Sequence, residues 1–94
     1  GFVCKMEIIV ERKNEDEFLV RIQQNGETTE HIILVHEQDW QMLSDKMCSK
    51  ELLVEKSFEF LLEREPKESI LSEFDIMIIA KHFPEYPDVI KKML

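Results

Sequence analysis

From Phe2 to Glu11 the residues alternate, with Phe2, Cys4, Met6, Ile8 and Val10 on one side and Lys5, Glu7, Ile9 and Glu11 on the other. That period of two predicts a half-buried strand. Lys13-Asn14-Glu15-Asp16 is a turn cluster, and beyond it Phe18, Val20 and Ile22 alternate with Leu19, Arg21 and Gln23 as a second strand. Asn25-Gly26 predicts a type I′ turn, because both central positions need a positive φ that these residue types tolerate. A third strand then runs from Thr28 to Val35. The first part of the chain reads as an antiparallel β-meander.

The charges test the register. A two-residue turn at Asn25-Gly26 sets Arg21 opposite Glu30, and a three-residue loop from Lys13 to Glu15 sets Glu7 opposite Arg21. One face then carries the row Glu7-Arg21-Glu30, of alternating sign. The other carries Val10-Phe18-Ile33, Ile8-Val20-His31 and Met6-Ile22-Thr29, a core layer. Slipping the second turn by one residue would bring Glu30 into that layer without a partner, which is costly. Ile9, Leu19 and Ile32, continued by Leu34, lie on the charged face and form an apolar row that either faces solvent or is covered.

The period changes after Val35. Glu37 to Ser44 predicts a short helix with acids in its first turn and Trp40 and Leu43 facing inward. Leu52 to Leu62, LLVEKSFEFLL, is the central helix, with an apolar face wide enough to be covered on two sides. Ser49 is its N-cap, and Pro66 sets the limit of its far end. Lys67 to Ser72 follows as a helical turn with Ile70 and Leu71 packing inward. Asp75 then caps a helix over Ile76 to His82, although Ile76 to Ile79 also fits a buried strand. Pro84 and Pro87 break the chain, and Asp88 caps a last amphipathic turn carrying Val89, Ile90, Met93 and Leu94. The fold class is α+β, three antiparallel strands followed by helices on one face (β-β-β-α-α-α), with residues 1–36 as meander and 37–94 as helical half of a single domain.

Composition narrows the partners. The 94 residues include 44% hydrophobic ones, enough for one core without a metal or disulfide framework. The formal net charge is -8, which argues against nucleic acid and anionic membrane surfaces, since neither is held without a basic patch. Cys4 and Cys48 lack zinc or redox spacing, and a reduced pair is the expectation, with a disulfide as the alternative. No metal or cofactor is expected. Gly1-Phe2-Val3-Cys4-Lys5 does not order charge and apolarity as a signal peptide does, no apolar run would span a membrane, and Met6 is a second candidate for the natural start.

Candidate chemistry is sparse. His31, His36 and His82 stand in no metal spacing, and Ser57, on the apolar stripe, has no nucleophile elbow around it. A pocket between sheet and helices near His31, Trp40 and His82 is the ligand-binding alternative. Phe83 and Tyr86 sit in a segment frozen by two prolines, which either presents them as a rigid recognition corner or folds them back over the central helix.

The run Leu53 to Leu71, LVEKSFEFLLEREPKESIL, followed by Phe74-Asp75 and Phe83-Pro84-Glu85-Tyr86, resembles a family of small uncharacterised prokaryotic proteins. The sequence departs from that pattern at His36, where a hydroxyl or acidic cap is usual, and at Lys50, where a proline is. The resemblance implies a small cytoplasmic α+β protein of unassigned role and carries no catalytic residues over. The expected function is a non-enzymatic interaction module, binding a protein partner or a second copy through Ile9, Leu19, Ile32 and Leu34 or through Phe83 and Tyr86.

Overall fold

A computed structural model describes residues 6–94, so Phe2 and Cys4 of the expected first strand lie outside the described residues. The elements are β1 (Met6–Arg12), β2 (Glu17–Gln24), β3 (Glu27–Leu34), α1 (Glu37–Ser44), α2 (Lys50–Leu62), β4 (Glu73–Asp75), α3 (Met77–His82) and α4 (Tyr86–Met93), with a 3-10 turn at Lys67–Ser69. The class is α+β, but the expected order β-β-β-α-α-α is corrected in two respects: the described residues form four α-helices rather than three, and a fourth strand stands between α2 and α3. The sheet has four strands in the order β1-β2-β3-β4, and β4 runs parallel to β3. Ile32 N–H donates to Ser72 O at 2.8 Å and Ile76 N–H donates to Leu34 O at 2.9 Å, clamping both ends of the short strand. Three residues are too few to show a period of two, so only the pairing makes them a strand.

The second hairpin has the expected register, with Arg21 opposite Glu30 and Phe18 opposite Ile33. Asn25 and Gly26 take φ of 55° and 77°, as a type I′ turn requires. In the first hairpin the register differs by two residues. Ile9, not Glu7, lies opposite Arg21, and Glu7 lies opposite Gln23. The loop runs from Asn14 to Asp16 instead of Lys13 to Glu15, because the Asn14 Oδ1 accepts the N–H groups of Asp16 and Glu17 at 3.1 and 3.0 Å. Lys13 N–H is then free to bond Glu17 O at 2.9 Å. A shift of two preserves the faces, so the expected core side stays the core side.

That side holds Phe18, Val20, Ile22 and Ile33, all without exposure. The central helix packs over it. Ser49 Oγ accepts the Leu52 N–H at 3.1 Å as the N-cap. Lys50 opens the helix and is itself buried, its ammonium bonded to Glu15 O at 3.0 Å and paired with Asp16 and Glu37, each at 3.2 Å. It ties the first hairpin loop to both helices, which a proline would not do. Phe58 lies 5.7 Å from the His31 ring and 5.9 Å from Phe74, while Phe60 meets Tyr86 at 5.1 Å and Phe83 at 5.7 Å. The two rings therefore serve opposite sides of one helix.

Three expectations in the second half change. Leu71 is 55% exposed rather than inward, while Ile70 is buried. Asp75 belongs to β4, yet its Oδ1 accepts the Met77 N–H at 2.9 Å and so steers the entry to α3, whose helical geometry over Met77–His82 rules out the strand alternative. The last helix begins at Tyr86, with Pro87 in its first turn, where a missing N–H costs nothing because no intrahelical acceptor is available there. No helix among the described residues is long and apolar enough to cross a membrane.

Candidate functional site

Side-chain alternation in β2 fixes what the sheet shows outward. With Phe18, Val20 and Ile22 inside, Leu19 and Arg21 point away from the helices, as do Ile9 on β1, Ile32 and Leu34 on β3 and Glu73 on β4. Ile9, Leu19, Ile32 and Leu34 are each half-buried, and none of them packs against the core cluster.

The register orders this face into rows. Leu19 lies opposite Ile32, with Glu11 beyond Leu19 on β1 and Glu73 beyond Ile32 on β4. The neighbouring row is Ile9, Arg21 and Glu30. The Arg21 guanidinium is held by Glu30 at 3.0 Å and Glu11 at 3.9 Å. Leu34 lies between Glu17 and Asp75. Asp75 also faces His36 Nε2 at 3.3 Å, and the His36 Nδ1 is 3.7 Å from Asp16. His36 therefore closes the end of the sheet through these contacts, without a side-chain cap on α1. The Asp39 carboxyl beside this group is pushed above its usual range, first by burial and then by the Asp75 charge, with His36 opposing.

On the helix side a half-open cleft of about 380 Å³ lies between the end of α2, the 3-10 turn, β4 and α3. Leu61, Ile70, Phe74, Ile78 and Phe83 are among its walls, and Glu65, Ser69 and His82 supply its polar groups. Of the three residues expected to share a pocket, only His82 is here. His31 is buried, with Nδ1 2.8 Å from Leu71 O and Nε2 2.9 Å from Thr29 Oγ1. A carbonyl only accepts, so Nδ1 carries the proton and donates, and the Thr29 hydroxyl donates to Nε2 when the ring is neutral. The Trp40 Nε1 donates to Cys48 O at 2.8 Å, which holds the α1–α2 connection. Both rings are committed to structure.

The recognition corner is corrected at Tyr86. Its side chain is wholly buried, and its hydroxyl lies 2.6 Å from Ser57 Oγ. Ser57 donates to Leu53 O at 2.7 Å, so Tyr86 donates to Ser57. Phe83 is half-buried against Phe60 and lines the cleft. Of the two readings open for the segment, display or folding back over the central helix, Tyr86 takes the second, because Pro87 lies inside a helix that turns Tyr86 inward.

Burial pushes the Tyr86 phenol well above its ordinary value of 10.0. The folded state holds this proton longer than the unfolded state, so its contribution to stability is complete below pH 10 and declines as the pH rises above it. Because Tyr86 is the sole tyrosine, the phenolate absorbance should rise only together with alkaline unfolding followed by circular dichroism. An absorbance rise in the still-folded protein would show that the phenol reaches water.

Comparison of the chain with protein-family models, with curated proteins and with solved structures gives no match.

Proposed function

We propose that this chain is a non-enzymatic protein-interaction module whose contact surface is the outer face of the sheet, centred on Leu19 and Ile32. The observation that carries the reading is that Ile9, Leu19, Ile32 and Leu34 make an aliphatic patch outside the core cluster, on the side of the sheet opposite α2. Contiguous apolar surface of this kind marks contact sites on small domains. The commitment of His31 and Trp40 to internal hydrogen bonds agrees with a binding role rather than a catalytic one. A second reading, a small apolar ligand, rests on the cleft beside His82 and Phe83.

Leu19→Glu separates contact surface from core. Because Leu19 lies outside the core cluster, the substitution should change stability by less than about 1 kcal/mol in denaturant unfolding. A covered, core-like leucine would lose about 2–5 kcal/mol, and a loss in that range would remove the reading. A photo-reactive residue at position 19 should then give discrete cross-links to polypeptide that the same residue at exposed Glu63 does not. Cross-linking from position 83 to a small molecule, with none from position 19, would favour the cleft.

A further inference from the structure

Resting on the reading of the outer face as a contact surface, we infer that its partner is a cationic amphipathic protein segment, one whose aliphatic residues are flanked by lysine or arginine. Sign and arrangement of charge carry this. Leu19 and Ile32, directly opposed, have a carboxylate at each end of their row, Glu11 and Glu73, both exposed. Strands about 4.8 Å apart put those row ends about 14 Å from one another, with the aliphatic pair between them. Exposed Glu7 and Glu30 add to the acidic border.

The single basic side chain among the outward-facing described strand residues is Arg21, and it is already held between Glu30 and Glu11. One guanidinium set against the outward carboxylates Glu7, Glu11, Glu17, Glu30, Glu73 and Asp75 leaves the face net negative. An approaching surface therefore meets an apolar centre with a negative rim, and a second copy would bring a like-charged rim against it. Like-charge juxtaposition suppresses a wrong partner, and complementary charge speeds the encounter and fixes the register of a right one. A segment with basic residues on either side of its aliphatic ones satisfies Glu11 and Glu73 while covering Leu19 and Ile32.

The test uses the isotope-labelled chain and three short amphipathic peptides that alternate valine with lysine, with glutamate or with serine. The lysine peptide should shift the amide signals of Ile9, Leu19, Arg21 and Ile32. Its affinity should fall on the order of tenfold between low and high salt. The glutamate peptide should leave those signals unmoved. Glu11→Lys combined with Glu73→Lys, both at exposed positions, should reverse the preference between the two charged peptides without loss of the fold. Binding of the serine peptide as tight as that of the lysine peptide would overturn the cationic assignment and leave the contact face standing. So would a concentration-dependent doubling of solution mass that Leu19→Glu abolishes. Failure of all three peptides to shift the face, with a monomer at every concentration, would overturn the contact face as well.

Discussion

Tyr86→Ala is expected to cost about 3–5 kcal/mol and to lower the melting temperature by roughly 15–30 °C. The ring has no exposure, stacks edge-on against Phe60 at 5.1 Å, and its hydroxyl reaches Ser57 at 2.6 Å. Truncation therefore opens a cavity between α4 and α2 and removes a donor from a buried hydroxyl at the same time. A domain of this size has about 5–15 kcal/mol in total, so the variant keeps only a fraction of it. Tyr86→Phe separates the two contributions. The ring stays, Ser57 keeps its bond to Leu53 O, and the loss should be about 1 kcal/mol. Denaturant unfolding of both variants decides the matter: equal losses would mean that the hydrogen bond, not the packing of the ring, fixes α4 to the molecule.

Phe58→Ala should cost a similar amount, about 3–5 kcal/mol, and its local consequence falls elsewhere. Phe58 touches the His31 ring on β3 and Phe74 on β4, so it braces the junction where β4 joins the sheet. β4 is three residues long and is clamped by the Ile32 and Ile76 amides. Hydrogen exchange should show these two amides losing protection beyond the global change, because a short strand without its brace opens locally. Protection at Val20 and Ile22, in the middle of the sheet, should fall only by the global amount. A uniform loss across all four amides would show that β4 opens only with the whole molecule.

The sequence was most informative where a periodic pattern ran long enough to average out local exceptions. The second hairpin needed nothing but Asn25-Gly26 and the opposition of Arg21 to Glu30, and its register stands as read. Ser49 and the wide apolar face of LLVEKSFEFLL likewise predicted a capped helix covered on two sides. The outward placement of Ile9, Leu19, Ile32 and Leu34 followed from parity alone, and parity survived a register shift of two residues in the first hairpin. That shift was decided by the side chain of Asn14, whose competing hydrogen bonds with the loop backbone the hydrophobic pattern does not register.

Other features depended on partners distant in the chain. β4 is a strand because Ser72 and Ile76 find backbone partners on β3, about forty residues earlier. Tyr86 is buried because α4 begins at that residue and meets Ser57, and the two prolines around it are compatible with display or with burial. Lys50, in sequence only a departure from the pattern that places a proline there, becomes a buried anchor because Glu15, Asp16 and Glu37 fold around its ammonium. The Glu11 and Glu73 ends of the Leu19-Ile32 row come from opposite edges of the sheet. What the sequence determined by itself was the set of elements with a sustained period and the side of each strand that faces the core, because backbone geometry and hydrophobic burial act on neighbours along the chain. What only the tertiary structure decided was which short segment became a strand, which aromatic was enclosed and which charges frame the contact face. Those outcomes depend on contacts between residues tens of positions apart, and local periodicity does not encode them.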